Sequence, residues 1–381
     1  MKIVYYSSLF FTDCDFPLIK QYQQKGVDTL YFIEAVSDRF AGGLFNIRSS
    51  LPKHGFVNVQ DIDEFKPYDG YIDLSKVYLV IRTSKLYDPI NWVLYIKLCW
   101  LIAKYRATTL HITQALGISE ALLYMFCKKM VLTVHDPILH SGEYSKTAEI
   151  KRKVAFKLIP KLVLLNRSQE ILFQEKYGVK RGVFFNKLGV YDCLKCLQIE
   201  KRKSIYGKYL LFFGHFSPYK GIDVLCEAMM LVNKKVKDIK CIIAGKGKLD
   251  FDISKYEDNN QIIVINNFIE TEELVSLIDN SEFVVCPYKD ATQSGVVSSA
   301  FALDKPVVAT NVGGLAETVI DGLTGKIVTP NNPIELAEVI LSLFQNPEQI
   351  SQFRNNIKEK NAKGIDSWNC ISNNFLQIYE C

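Results

Sequence analysis

Three short segments of the sequence place glycine, lysine or serine directly after an apolar run, where a phosphate could bind. They are Gly214 with Lys220 and Gly221 after residues 210–213, Gly245 with Lys246 after residues 241–244, and Ser294 with Gly295 after residues 283–286. A lysine neutralises phosphate as a compact charge, and a glycine leaves the backbone open to a ligand. Each segment alone is also compatible with an ordinary turn. Three in succession predict a nucleotide or diphosphate site.

The third of these segments also has the pattern of a helix start. Pro287 begins a polar loop, and residues 293–295 begin a helical run that Lys305 and Pro306 end before another strand, residues 307–310. In an open parallel sheet this loop lies at the carboxyl end of a strand. The unpaired amides and positive dipole of the helix start then favour an anion. A plain strand-to-helix turn remains the alternative for this segment taken alone.

The elements that must position these residues alternate between strand and helix along the chain. Strand-like apolar runs in the N-terminal half are residues 3–6, 29–33, 77–81, 109–112, 131–134 and 162–165. This alternation predicts the α/β class with doubly wound parallel sheets. The 381 residues exceed what one core usually covers, which predicts two domains. Residues 181–208, with several glycines and the basic run 201–203, have the composition of a connection between them.

The order of the motifs resembles the retaining nucleotide-sugar glycosyltransferases of GT-B fold, family four (glycosyl transferases group 1). The matching segments are FFG with YKGIDVL, AGKG, and ATQSGVVSSAFALDKPVVATNVGGLAETVIDGLTG. The resemblance covers residues 209–328 firmly and the whole chain less firmly. It implies two Rossmann-like domains that face a central cleft. Residues 1–190 would form the acceptor-side domain, residues 191–365 the donor-binding domain, and a final helix, 366–381, would pack back on the first domain.

The resemblance implies roles for residues of the phosphate edge. Lys220 would contact the donor diphosphate and act in catalysis, and the backbone amides of Ser294, Gly295 and Val296 would cradle the distal phosphate. Where the family usually has arginine after the first glycine, this chain has His215, a shorter side chain that is mostly neutral near pH 7. Diphosphate binding would therefore depend more on Lys220.

The sugar-binding part of the motif departs from the family pattern. The family's paired glutamates would fall at Ala291 and Ser299, and neither residue is acidic. The ATQSG form resembles a branch of enzymes of bacterial surface-polysaccharide assembly. There, Thr292 and Gln293 would replace the carboxylate contacts by neutral hydrogen bonds. A degenerate, inactive site is the rival explanation.

Two N-terminal segments are candidates for the acceptor side. His135 and Asp136 follow a strand-like run, and the resemblance implies that the histidine lies near the transferred sugar, where a neutral imidazole would donate or accept a hydrogen bond. A turn capped by Asp136 over a packed His135 is the alternative. In residues 7–17, Asp13 and Asp15 would contact an acceptor hydroxyl, and a solvated loop is the other interpretation.

The sequence indicates no metal and no resident cofactor. No Asp-x-Asp at a strand end accompanies the phosphate edge, and Asp13-Cys14-Asp15 matches only the string and lies in the other half of the chain. Only Cys193 and Cys196 of the ten cysteines are close together, which predicts free thiols. We expect metal-independent transfer, in which Lys220 and helix amides stabilise the leaving nucleoside diphosphate. The nucleotide sugar would be a co-substrate. Retention of anomeric configuration is implied by the resemblance alone.

The net charge of +5 is unevenly distributed, because residues 85–161 contain twelve Lys/Arg against five Asp/Glu. One predicted helix has Lys146, Lys153 and Lys157 on one face and Ile150, Val154 and Leu158 on the other, and a second, 91–105, has Trp92, Tyr95 and Trp100 beside Lys97 and Lys104. Such a surface suits an anionic leaflet with a lipid-linked acceptor. A solvated basic face over an aromatic core is the alternative. Nucleic acid is not indicated, since no fold signature for it accompanies the charge.

The predicted location is the cytoplasm, with peripheral contact to the inner face of the plasma membrane. Strand-like residues follow Met1 directly, and no apolar run approaches the ~20 residues of a membrane span. The predicted function is transfer of a hexose-type sugar from a nucleotide donor to a hydroxyl of a lipid-linked glycan, in bacterial surface polysaccharide biosynthesis. A sugar-nucleotide epimerase or hydrolase on the same scaffold and a non-catalytic nucleotide-sugar-binding protein are the alternatives.

Overall fold

The computed structural model describes residues 1–85, 87–138, 145–167, 170–179, 182–198, 205–257, 261–291 and 294–381. Contacts divide the chain into two units. The first contains Met1–Gly189 together with Trp368–Cys381, and the second contains Val190–Ser367. Thr292 and Gln293 lie outside the described residues.

The first unit is built on an eight-stranded sheet in the order β10-β9-β8-β7-β1-β2-β6-β5, parallel except for the edge strand β5. Its strands, and the separate two-stranded ribbon β3–β4, are β1 (Lys2–Ser8), β2 (Asp28–Val36), β3 (Ala41–Gly42), β4 (Phe45–Asn46), β5 (Gly55–Asn58), β6 (Val77–Arg82), β7 (Thr109–Ile112), β8 (Met130–Val134), β9 (Lys161–Leu164) and β10 (Val183–Phe185). The central strands are buried on both faces, as expected for a parallel sheet covered on both sides.

Helices cover the first sheet. They are α1 (Thr12–Gln24), α2 (Pro89–Tyr105), α3 (Lys146–Leu158) and α4 (Glu170–Tyr177), with 3₁₀ helices at Leu9–Phe11, Val59–Asp61, Asp63–Tyr68, Leu74–Lys76 and Glu120–Lys129. Helix α2 begins where the Asp88 carboxylate accepts from the Ile90 amide and Pro89 occupies the first turn. Buried residues of α2, Glu120–Lys129, α3 and α4 form one core cluster with the strands, so these helices pack on the same face of the sheet.

The second unit contains a six-stranded, fully parallel sheet in the order β13-β12-β11-β14-β15-β16. Its strands are β11 (Tyr209–Phe213), β12 (Lys240–Gly245), β13 (Ile262–Asn266), β14 (Val284–Cys286), β15 (Val307–Thr310) and β16 (Gly325–Val328). Its helices are α5 (Ile222–Lys235), α6 (Ser254–Glu257), α7 (Thr271–Asn280), α8 (Gly295–Ala302), α9 (Leu315–Thr318), α10 (Pro333–Gln345) and α11 (Pro347–Lys363), with 3₁₀ helices Asp192–Leu197 and Pro218–Lys220. The two sheets confirm the predicted α/β class.

The last helix, α12 (Trp368–Glu380), packs in the first unit. The Tyr379 hydroxyl lies 2.6 Å from the Tyr22 hydroxyl and 2.5 Å from Nδ1 of His111, and all three side chains are buried. Asn186 after β10 donates to the Ile371 carbonyl oxygen at 3.0 Å. A buried polar network thus joins α12 to α1 and to the sheet.

Two sequence expectations about elements need correction. Residues 181–208 do contain the boundary between the two units, after Gly189, but they also contain β10, which pairs in parallel with β9. Residues 7–17 are not a solvated loop: β1 runs to Ser8 and α1 begins at Thr12, so the buried Asp15 accepts from the Tyr5 and Tyr31 hydroxyls at 2.8 Å. Strands β3, β4, β5, β10, β13 and β16 were not predicted.

Helix α3 packs on the sheet through neither of the two faces that the sequence distinguished. The helix buries Glu149, Ala155 and Phe156. The apolar face, Ile150, Val154 and Leu158, is exposed by 63%, 42% and 45%. No helix of the described residues is long and apolar enough to cross a membrane.

Candidate functional site

The second sheet has a topological switch point between β11 and β14, where the chain order reverses and a crevice opens at the carboxyl ends of parallel strands. The turn after β11 passes through Pro218–Lys220 and Gly221 into α5, and the loop after β14 leads through Tyr288 to α8. The two loops touch: the Lys289 amide donates to the Tyr219 carbonyl oxygen at 2.7 Å. The switch point therefore brings the first and third predicted phosphate segments together.

Gly221 is required for this contact. Its φ is +65°, and a Cβ there would lie 2.0 Å from the Pro287 carbonyl oxygen. Both the left-handed conformation and the close backbone approach exclude a larger residue. Across the same contact, Lys289 pairs with Asp223 in the first turn of α5 at 2.6 Å.

Lys220 lies on aromatic rings at this edge. Its Nζ is 3.8 Å from the centroid of the Tyr288 ring and 5.1 Å from that of Tyr219. Burial lowers the pKa of Lys220 to about 8, so the amine is still mostly charged near pH 7. Within the described part of the chain no carboxylate pairs with it. A cation held by rings and lacking a counter-anion is well suited to receive a phosphate.

Tyr288 connects Lys220 to the start of α8. Its ring is fully buried, its carbonyl oxygen accepts from Thr310 at 2.6 Å, and its hydroxyl lies 3.4 Å from Oγ of Ser294. The sequence analysis missed both Tyr288 and Tyr219. Aromatic residues in the loops that follow β11 and β14 were the available signal, but such residues usually belong to the core.

The start of α8 offers backbone amides at the same edge. Ser294 is its N-cap but makes no side-chain capping bond, and its carbonyl oxygen accepts from Val297 at 3.1 Å. The amides of Gly295 and Val296 precede the hydrogen bonds of the helix, so the helix itself does not pair them. Ser299 is buried, and its hydroxyl donates to the Gly295 carbonyl oxygen at 2.9 Å, which leaves only its lone pairs for a ligand.

Gly214 and Gly245 lie side by side at the ends of β11 and β12. The Gly214 amide donates to the Ala244 carbonyl oxygen at 3.0 Å, and a Cβ at Gly245 would lie 1.8 Å from the Gly214 carbonyl oxygen. A Cβ at Gly214 would lie 3.6 Å from Cγ2 of Val296, in α8. The second phosphate segment therefore adjoins the other two, and His215 beside it is exposed.

His135, in the first unit, directly follows β8 and lines a cavity of about 160 Å³. Its ring stacks on Phe11 with centroids 4.2 Å apart. Burial lowers the pKa of His135 to about 4, so the imidazole is neutral at pH 7. Its Nε2 is buried and has no hydrogen-bond partner among the described residues. Asp136 lines the same cavity, and its carbonyl oxygen accepts from Arg152 at 2.5 Å.

Asp13 does not line the cavity that contains His135, and it does not line the neighbouring cavity that contains Glu34 and Arg82. It lies in the first turn of α1, where its Oδ1 accepts from the Cys14 amide at 2.8 Å. Burial, and then the nearby Asp15, raise the pKa of Asp13 to about 7. The structure thus places His135 and Asp136 on one cavity, whose lining does not include Asp13.

A second cavity of the first unit, about 280 Å³, contains a polar cluster that the sequence analysis missed. The Glu34 carboxylate accepts from Arg82 and Gln114, and Arg82 Nε also lies 3.4 Å from Glu120. Burial and the Glu34 charge raise the pKa of Glu120. Glu34, Arg82 and Gln114 lie at or just beyond the carboxyl ends of β2, β6 and β7, which was the available signal. No group of three or more His, Cys, Asp or Glu in the described ranges could hold a metal ion.

Comparison with known proteins now adds to this geometry. Residues 198–360 match the family described as glycosyl transferases group 1. An uncharacterized glycosyltransferase of Methanocaldococcus jannaschii is 34% identical over 178 residues, which are 45% of this chain and 47% of that protein. The chain spans half or less of the length of the first curated relatives it matches.

Solved structures extend the likeness beyond the group 1 domain. HepE of Anabaena, in complex with UDP-glucose, has a TM-score of 0.64 at 16% identity, and the match covers 100% of this chain and 98% of that one. Sucrose-phosphate synthase of Thermosynechococcus elongatus has a TM-score of 0.64 at 14% identity, with 100% and 98% covered. The chain therefore has the GT-B fold that the motifs predicted.

Proposed function

We propose that the protein is a retaining, metal-independent glycosyltransferase that moves a hexose-type sugar from a nucleotide donor to a hydroxyl of a glycan. The observation that carries the proposal is the Lys220 ammonium, which lies on Tyr288 beside the start of α8 and has no carboxylate partner in the described residues. The group 1 match supports it, as does the likeness to a protein solved with UDP-glucose.

The groups of this edge have complementary roles in the proposed reaction. As the sugar leaves, negative charge increases on the departing diphosphate. Lys220 stabilises that charge strongly because its ammonium group lies close by in a poorly hydrated site. The amides of Gly295 and Val296 and the dipole of α8 bind the distal phosphate. Gly214 and Gly245 let the ligand approach the backbone.

In this proposal His135 interacts with the transferred sugar. Its neutral state supports the role, because a neutral imidazole can accept a hydrogen bond from a sugar hydroxyl at Nε2. A sugar hydroxyl at the unpartnered Nε2 would also offset the burial of that nitrogen. Asp136 would help to position the acceptor.

A donor panel tests the proposed reaction. Purified protein is incubated with several nucleotide sugars and an extracted lipid-linked glycan, and the products are analysed by mass spectrometry. A glycan heavier by one sugar supports the proposal. An isomerised donor would instead identify an epimerase, free sugar alone a hydrolase, and binding without turnover a nucleotide-sugar-binding protein.

We further propose that the acceptor is lipid-linked, in bacterial surface polysaccharide biosynthesis, and that the enzyme contacts an anionic leaflet. Support comes from the outer side of α2 and α3, which pack on one face of the sheet. Exposed apolar residues and exposed lysines occur together on both helices; we call them the basic-apolar surface: Trp92, Val93, Ile96, Lys97, Trp100 and Lys104 on α2, and Lys146, Ile150, Lys153, Val154, Lys157 and Leu158 on α3. Aromatic and basic groups in this arrangement are typical of interfacial membrane helices.

Charge reversal tests the membrane contact. Replacing Lys146, Lys153 and Lys157 by Glu should release the protein from phosphatidylglycerol vesicles, since each lysine near an anionic surface contributes about 1 kcal/mol. The matched control reverses three exposed lysines at and just beyond the end of α5: Lys234, Lys235 and Lys237. Equal sedimentation of both variants and the parent protein at low salt would contradict the contact.

A further inference from the structure

A third cavity lies between α2 and the first sheet, and neither the proposed reaction nor its donor uses it. Its volume is about 490 Å³, within the ~300–1,000 Å³ of small-molecule sites. Its floor consists of Leu30 and Phe32 of β2, Phe56 of β5 and Tyr78 of β6, and Leu101 and Tyr105 of α2 close one side. Hydrocarbon and aromatic surface therefore lines most of it.

Three lysines surround this apolar floor. Lys2, Lys97 and Lys104 line the cavity, and their amines lie 4.9, 5.6 and 4.8 Å from the ring centroids of Tyr105, Phe56 and Trp100. Lys2 lies 3.9 Å from Asp28, which Lys76 also contacts. Lys97 and Lys104 have no carboxylate at ion-pair distance in the described part of the chain. The rim is thus positively charged around an apolar interior.

The cavity adjoins the basic-apolar surface. Lys97, Leu101 and Lys104 line it, and Val93, Ile96 and Trp100 lie one helical turn or less away on α2, exposed by 64%, 59% and 55%. A molecule in the cavity can therefore continue onto the part of the protein that would face a leaflet. Lys104, stacked on Trp100, belongs to both.

We propose that this cavity binds one anionic phospholipid, with an acyl chain on the Leu30–Phe32–Phe56–Tyr78 floor and the headgroup phosphate against Lys97 and Lys104. An acyl chain fits the apolar interior, and a phosphate fits two lysines that lack carboxylate partners. The inference uses the membrane contact proposed above but does not need sugar transfer. Its occupant is a membrane lipid, not the nucleotide donor, whose phosphate edge lies in the other unit.

The test uses dihexanoyl-phosphatidylglycerol below its micelle concentration, so that binding reports the cavity and not a bilayer. We expect saturable binding to the full chain by calorimetry. It should be lost in Leu101→Trp, which fills the cavity. It should weaken by about tenfold or more in Lys97→Glu/Lys104→Glu, because two charges near the phosphate are reversed. The second variant changes only exposed side chains, so it remains informative if the first does not fold.

Matched controls separate the cavity from the surface. Leu172→Trp adds the same ring on an exposed position of α4, and Lys153→Glu/Lys157→Glu reverses two charges on α3. Both should bind the monomeric lipid as the parent does, and the α3 variant should lose only vesicle binding. Equal binding of dihexanoyl-phosphatidylcholine, or preference for decyl phosphate with no phosphatidylglycerol binding, would overturn the proposal. So would the absence of saturable binding to the parent protein. None of these results depends on turnover.

Discussion

Lys220 carries a positive charge in an aromatic, partly desolvated environment, and its proposed contribution to turnover depends on that charge. Lys220→Ala should lower turnover by about 10²-fold, the usual effect of removing one well-placed electrostatic stabiliser. Lys220→Arg should restore only part of the lost turnover, since a planar guanidinium group does not replace a compact ammonium on the Tyr288 ring. Lys234→Ala, the same loss of charge at the far end of α5, is the control. Near-native turnover of the alanine variant at saturating donor would remove the catalytic assignment.

The same lysine predicts a pH dependence. Because burial lowers the pKa of Lys220 to about 8, the side chain is charged below that pH and becomes neutral above it. The kcat/KM for the donor should therefore fall as pH rises through about 8. The kcat should fall at higher pH, because bound diphosphate favours the ammonium form. His135, with its pKa lowered to about 4, should add no inflection between pH 5 and 8. If the fall in activity at high pH persists unchanged in Lys220→Ala, it must be due to the titration of another group.

At the scale of elements, the turn before α5 depends on Gly221. Two glycine-to-alanine variants separate the effect of backbone strain on stability from the effect of the close contact. Gly322→Ala places a Cβ at φ +72° with nothing within 4 Å, so it should cost only the left-handed strain, about 1 kcal/mol. Gly221→Ala has the same strain at φ +65° and in addition places its Cβ against the Pro287 carbonyl oxygen. It should therefore lower the free energy of unfolding by roughly 1–3 kcal/mol more than Gly322→Ala does. Chemical denaturation measures both. Equal losses would mean that the two loops separate easily.

The sequence predicted the buried strands well and the short edge strands poorly, for a physical reason. Strands such as β11 and β14 are continuous apolar runs because both faces are covered. By contrast, β10 has three half-buried residues at a sheet edge and carries almost no periodic signal. The glycines and Lys220 were found because backbone approach and phosphate charge demand those residue types. Tyr288 and the Glu34–Arg82 cluster were not, because only three-dimensional proximity distinguishes them from ordinary core and surface residues.

For the molecule as a whole, the first unit depends on a helix from the other end of the chain. Tyr379→Phe removes one hydroxyl and leaves the Tyr22 hydroxyl and His111 Nδ1 without their shared partner. Burial of these groups should make the variant less stable by about 1–3 kcal/mol. The first unit should unfold at lower denaturant, and the second should be unaffected. Tyr87→Phe, at an exposed tyrosine, is the control. A uniform shift of both transitions would mean that the units unfold together.

The position of α12 also has a consequence during translation. Residues 1–189 emerge from the ribosome first, but the surface that receives Trp368, Phe375 and Tyr379 stays uncovered until Trp368–Cys381 emerge. The second unit, which is continuous in the chain, can therefore complete its fold before the first. Nascent chains halted before residue 368 should bind chaperones through the open side of the first sheet, and full-length chains should release them.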